Sequence, residues 1–292
     1  IAAPDRAAEA RAALRWLKAR LIQDGMRPGE VALLARDLSA YRPFIRQTAA
    51  EFGLPVRLVD GLPLRANPAI AALLDLLRAI LPRAEADPTP ALPRRLVVEA
   101  WRSPYFDWSA LPEAGAPAPI GIRPGDADAL DTVARWGQVI GGYDQWTEAL
   151  DALVAHKQPG QDPIDEERDR PPGLPTGPEA QALRAKFTRY LQRLTPPPGP
   201  RRYRDFVGWV ERLIGPDPDT QAQDPLALNV VAQVRAAQDP AVAERDIAAL
   251  QALKDVLRGL VWAEKVIDTA PVDLTRFFEE LVGAVDASAY RL

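Results

Sequence analysis

Apolar residues recur at helical spacing through residues 5–24, where Leu14, Leu17 and Leu21 share one side and Arg11, Arg15, Lys18 and Arg20 lie mostly around the others. Gly25 is placed to stop that helix. After the turn "MRPGE", the run "VALLA" (31–35) is continuously apolar, the pattern of a short strand covered on both faces. Ser39 is suited to cap a helix reaching about Phe52, with Tyr41, Phe44, Ile45 and Ala49 inward and Gly53 at its end. "PVRLVDG" (55–61) then alternates as a second strand would. The first 61 residues therefore read helix, strand, helix, strand, a piece of a parallel α/β sheet. Two strands alone are not stable, so this piece needs further packing or further strands.

Beyond Asn67-Pro68 the periodicity becomes helical. "AIAALLDLLRAIL" (69–81) is apolar nearly all round and predicts a buried helix. Further helices are predicted at about 90–101, 126–141, 143–156, 178–194, 203–214, 224–238, 240–268 and 272–286, with Asp126 and Asp273 as caps. The stripe of the longest is Ile247, Leu250, Leu253, Val256, Leu257, Leu260 and Val261. Residues 157–177 hold five prolines, five acids and two large aliphatics, too little apolar surface to order themselves, and are expected to form a mobile loop. The fold class expected is mainly α (α+β). A small N-terminal parallel α/β piece occupies residues 1–68, and a multi-helix domain occupies 69–292.

Composition narrows the chemistry. With 47% hydrophobic and 26% charged residues over 292 positions the chain can bury a substantial core. No run is long and apolar enough to suggest a membrane span, and the N-terminus lacks the order of a signal peptide, so a cytoplasmic protein is expected. With no Cys and one His, His156, the chain has no disulfide, thiolate or multi-histidine chemistry. His156 is read as a cation at a helix C-terminus, and the acidic stretch "IDEERD" (164–169) as a solvated loop. The seven Trp residues are read as helix packing. No phosphate loop, dinucleotide fingerprint or nucleophile elbow is present. The net charge of −4 is unevenly spread: residues 1–70 carry 11 Lys/Arg against 7 Asp/Glu, and residues 71–292 carry 25 against 33.

Arg36 stands out. It would close the strand 31–35 at the carboxyl edge, where ligands of α/β sheets bind. Its permanent charge and planar donor fork suit phosphate oxygens, while an ion pair with the adjacent Asp37 would serve equally to finish the strand.

The block from Glu9 to Ile80 carries a resemblance. A Glu-containing helix, "EVALLARD", a Tyr-containing helix, "FGLPVRLVDGLPL" and "NPAIAALLDLL" follow in the order found at the start of the second motor lobe of UvrD/Rep/RecB helicases. The block is most similar to the AddB-like subunit of bacterial ATP-dependent helicase-nucleases. "RSPYFDW" (102–108) resembles the helical insertion that follows in that family, and beyond about residue 110 the likeness is only of kind. The resemblance implies that Arg36 is the arginine reaching the ATP γ-phosphate. Ala35 stands where such helicases usually carry an aromatic that packs on adenine.

It further implies a non-catalytic internal segment of a helicase/exonuclease acting in DNA end processing and recombinational repair. The phosphate loop, magnesium motif and nuclease carboxylates would lie elsewhere in the parent. ATP and magnesium are implied for that parent and no cofactor for the segment. The expected partners are DNA, through the parent, and a second helicase-nuclease subunit, with no membrane. The alternative is a stand-alone helical interaction module with no nucleotide role.

Overall fold

The computed structural model describes residues 3–35, 38, 40–56, 58, 61–84, 87–109, 121–155, 172–216, 228–267 and 270–291. Among these, eleven α-helices dominate, as the periodicity predicts, and strands are few and short. The chain divides into two compact units, residues 1–62 with Arg291, and residues 63–290 with Leu292.

The first unit is built on two helices, α1 (Arg6–Gln23) and α2 (Arg42–Phe52). Asp5 starts α1 by accepting from the Ala8 amide at 2.7 Å. Gly53 ends α2 with φ +64°, a left-handed conformation that glycine adopts without a Cβ penalty, and the Leu54 amide closes back on Ala49. The pair packs through Ala10, Leu14, Ile45 and Ala49, bordered by partly buried Leu33, Leu38, Tyr41 and Phe44. Around this small core Arg11 holds both oxygens of Glu51, and Lys18 donates to the Phe52 carbonyl at the C-terminal end of α2.

Among the described residues the two strands expected here are not paired. Val31 is extended (φ −119°, ψ 143°), yet no peptide group of residues 31–35 makes a backbone hydrogen bond among the described residues. No strand is present among the described residues of 55–61 either, where Arg57, Val59 and Asp60 lie outside the description. The physical reason is that a strand needs a neighbour for its ladder, and two short parallel segments supply too little pairing surface.

The second unit begins with α3 (Pro68–Ala79). Asn67 accepts from the amides of Ala69 and Ile70, with Pro68 at the first helical position, where its missing N–H costs nothing. Ile70, Leu73, Leu74, Leu76 and Leu77 are all buried, as an all-round apolar helix requires.

An antiparallel hairpin of Pro82–Ala84 and Asp87–Pro90 follows, between two expected helices where no strand was predicted. Its prolines cannot continue a helix but are tolerated in a two-stranded ribbon. Pro93 likewise delays the next helix, α4 (Arg94–Arg102).

Helices α5 (Pro124–Trp136), α6 (Tyr143–Ala155) and α7 (Pro178–Arg193) complete one layer of this unit. α5 starts before Asp126, which is not the cap but the third helical residue, its carboxylate accepting from the Arg123 amide and from Lys186. It also stops earlier than expected, because Gly137 caps it and Gln138 turns to φ +50°. An aromatic cluster fills the layer: Trp108 lies edge-on to Tyr190 with centroids 5.1 Å apart, and Trp146 sits 5.3 Å from Phe187. The indoles of Trp108 and Trp146 donate to the carbonyls of Ala100 and Leu92.

Helices α8 (Tyr203–Ile214), α9 (Val230–Arg235), α10 (Pro240–Ile267) and α11 (Leu274–Asp286) form the other layer. α10 packs against α3, α8, α9 and α11 and is the spine of the unit. α9 is shorter than expected because Leu228 is bridged to Leu213 and Asp107 through its own peptide groups, and Asn229 at φ +50° starts the helix only after it. Asp273 caps α11 as expected.

Two ties on α10 depend on buried acids. Glu264 accepts from the amides of Tyr203 and Arg204 at 3.0 and 3.4 Å, capping α8 from another helix where Arg202 supplies no cap. Asp246, 1% exposed, accepts from Asn67 Nδ2 and Arg245 Nε, each at 2.7 Å, and from Tyr105 Oη at 3.3 Å. Asn67 also donates to Tyr290 Oη, and the Leu64 amide donates to the Ser288 carbonyl. Residues 64–67 thus lie beside residues 288–290.

Removing the carboxylate in Asp246→Ala strands Arg245 and Asn67 and is expected to lower unfolding stability by about 3 kcal/mol, read by urea denaturation. Glu264→Ala, which uncaps α8, is expected to cost about 1–2 kcal/mol in the same measurement.

Candidate functional site

Arg36, the sequence-derived candidate, lies outside the described residues, as do Asp37, Ser39, His156 and the acidic stretch 164–169. The described residues on either side of Arg36 are informative. Leu33, Leu34, Ala35, Leu38, Ala40 and Tyr41, with Arg6 and Glu9 of α1, line an open cavity of about 550 Å³. α1 and α2 position its polar wall: Tyr41 donates to Glu9 Oε2 at 2.7 Å. That hydrogen bond raises the Tyr41 phenol, burial and the Glu9 charge add to the rise, and the Arg6 charge opposes them. Among the described residues, the cavity combines one acid, one cation and one phenol with an aliphatic wall. Ala35 offers it no ring on which a base could stack.

A second cavity, of about 620 Å³, lies between α3 and α4 and is lined by Asp75, Arg78, Arg95, Glu99, Arg102 and Tyr105 among others. Its charges nearly balance. Arg78 pairs with Asp75 at 3.3 Å, and Arg102 pairs with Asp128 at 2.7 Å. The Tyr105 phenol is raised, first by burial and then by the Asp246 charge and hydrogen bond.

The carboxylates that the packing singles out are structural. Asp131 on α5 accepts from Arg94 Nε and Nη2 at 3.1 and 2.8 Å and from Arg135, binding α4 to α5. Burial works to raise its carboxyl, but the hydrogen bonds and charges of Arg94 and Arg135 prevail and hold it below the usual range. A carboxylate so saturated with guanidinium donors is not free to act as a base. Asp107 is similarly held down against burial by the Ser109 hydroxyl and amide and by Asn229.

Sequence reading missed these acids. A signal existed: Asp246 occupies the stripe of Leu250, Leu253 and Leu257, and Asp131 that of Ala127, Leu130 and Ala134. A charge at a core position must be paired, and the partners come from distant sequence.

The tryptophans divide. Trp101, Trp108, Trp146 and Trp209 are core residues as expected, whereas Trp16, Trp136 and Trp262 are 57%, 39% and 65% exposed. Among the described residues no group of three or more His, Asp or Glu side chains could hold a metal ion, and no helix is long and apolar enough to cross a membrane. No protein-family model matches the chain, and no curated protein matches it significantly.

Tyr203 gives the molecule a measurable alkaline response. Buried against Phe277 at a centroid separation of 6.2 Å, its phenol is pushed up to about 12 by burial, with the Glu280 hydrogen bond and charge adding to the rise. The unfolded chain loses this proton at about pH 10, so the stabilising difference is complete below pH 10 and disappears as pH rises toward 12. Urea denaturation across that window is expected to show falling stability, with part of the slope removed in Tyr203→Phe.

Proposed function

We propose that the chain is a non-catalytic segment of an ATP-dependent DNA helicase/exonuclease, similar to the AddB-like and RecB-like proteins, that acts in DNA end processing and recombinational repair. The observation that carries this reading is the ordered block from Glu9 to Ile80, in which "EVALLARD", "FGLPVRLVDGLPL" and "NPAIAALLDLL" follow one another at motor-lobe spacing. The local structure supports it: α1, the extended Val31, α2 with its Gly53 turn, and the Asn67-capped α3 occur in the order those motifs require.

In this reading Arg36 stabilises the charge that develops on the γ-phosphoryl group of ATP, and the rest of the nucleotide site belongs to other parts of the parent. The basic excess of residues 1–70 belongs with the nucleotide and DNA side of the motor, and the acidic helical remainder packs against neighbouring lobes or a second subunit.

A second reading, a helical interaction module with no nucleotide role, is favoured by Trp262, Val266 and Ile267, which leave 65%, 79% and 70% of their surface exposed at the end of α10.

Arg36→Ala in the complete polypeptide is expected to lower DNA-stimulated ATP hydrolysis by about 10³-fold or more, measured by phosphate release. An unchanged rate removes Arg36 from the nucleotide site. Turnover by the 292-residue chain alone would overturn its assignment as non-catalytic.

A further inference from the structure

The cavity between α3 and α4, of about 620 Å³, is lined by charges that the fold does not use. Of its five charged residues, Arg78 bonds to Asp75 within α3, and Arg102 turns to Asp128 on α5. Arg95 and Glu99, both exposed and one helical turn apart on α4, make no hydrogen bond or ion pair among the described residues. The lining also includes Tyr105 and the buried Leu76, Ala100 and Phe106. We propose that this cavity binds a small zwitterion with an apolar body, an α-amino acid with an aromatic side chain, whose carboxylate meets Arg95 and whose ammonium meets Glu99.

Charge balance selects the class of ligand. With Arg78 bonded to Asp75 and Arg102 to Asp128, the lining retains one guanidinium and one carboxylate. A phosphate dianion would gain from Arg95 but stand beside Glu99 and Asp75, and a polyamine would meet three arginines; like charges brought together count against both. A molecule carrying both signs meets each charge with its opposite. The planar donor fork of Arg95 matches a carboxylate, and Glu99 accepts from an ammonium. Side chains four apart on a helix have Cβ atoms about 5–6 Å apart, close enough for both to reach the two charged groups of one α-carbon. Tyr105 and Phe106 favour a ring as the apolar part, and small-molecule sites span about 300–1,000 Å³, a range that includes this cavity.

The helix that carries the two charges is held before any ligand arrives. Arg94 donates twice to Asp131 and so fixes the start of α4 on α5, which lowers the cost of ordering the site. A direct pair between Arg95 and Glu99 competes poorly, because a base four residues before an acid is the weaker orientation on a helix and exposed pairs contribute little. The inference uses only this cavity and is independent of Arg36 and of any nucleotide.

Isothermal titration of the 292-residue chain with L-phenylalanine tests it. Saturable binding of one molecule per chain is expected. Phenylacetate and phenethylamine, which keep the ring and one charge each, are expected to bind about tenfold or more weakly, since each loses a charge-assisted hydrogen bond. Arg95→Gln and Glu99→Gln, at exposed positions where folding is not at stake, are each expected to weaken phenylalanine binding by about tenfold or more and to leave helical circular dichroism unchanged. Absence of saturable binding up to about 10 mM, weaker than any useful site, overturns the proposal. So does an affinity that both substitutions leave unchanged, which would place the ligand elsewhere. Phenylacetate binding as tightly as phenylalanine would reduce the site to a simple anion contact and overturn the zwitterion assignment.

Discussion

A carboxylate taken out of water must be compensated by donors within the fold, and at Asp246 that requirement organises the larger unit. Its donors are Asn67, which caps α3 with the same side chain, Arg245 beside it on α10, and Tyr105 from the segment after α4. Tyr290, near the end of the chain, joins through Asn67. Regions separated by more than 200 positions are thus held around one charge. The apolar packing of α10 on α3, α8, α9 and α11 could tolerate small slides along the helix axes. A buried charge with short bonds cannot, and it fixes the register that the packing then fills.

The same logic recurs at lower stakes. Asp131 ties α4 to α5 through two arginines, and Glu264 supplies the cap that the sequence before α8 lacks. In each case a charged side chain sits on an otherwise apolar stripe and turns two helices into a fixed pair. Among the described residues of the first unit, no buried acid makes such a tie. Four buried residues join α1 to α2, its polar contacts lie at the surface, and one side of it opens into an apolar cavity. Among the described residues, the buried core of the first unit is therefore much smaller than that of the second.

Most helices were legible because their information is local. The stripe of α10, the all-round apolarity of α3, the Asp273 cap and the Gly53 stop each follow from residues within a few positions. Errors arose where a local pattern needed a distant partner. "VALLA" reads as a strand from composition, but a strand is completed only by its ladder. The 82–90 hairpin was hidden because its prolines signal only the end of a helix, and α9 was overestimated because nothing local reveals the hydrogen bonds of Leu228 to Leu213 and Asp107. Of the candidate site, sequence alone singled out Arg36, and structure adds the described neighbours that wall a cavity, Glu9 and Tyr41 among them.

By itself, then, the sequence determined a mainly helical chain without thiol or multi-histidine chemistry and with a basic first quarter. These are properties of composition and of neighbours a few residues apart. Tertiary structure alone decided which acids are buried, who donates to them and which tryptophans remain in water. The reason is physical: periodicity fixes the face a side chain presents, but the free energy of a buried charge or an unpaired strand depends on groups the chain brings in from far away.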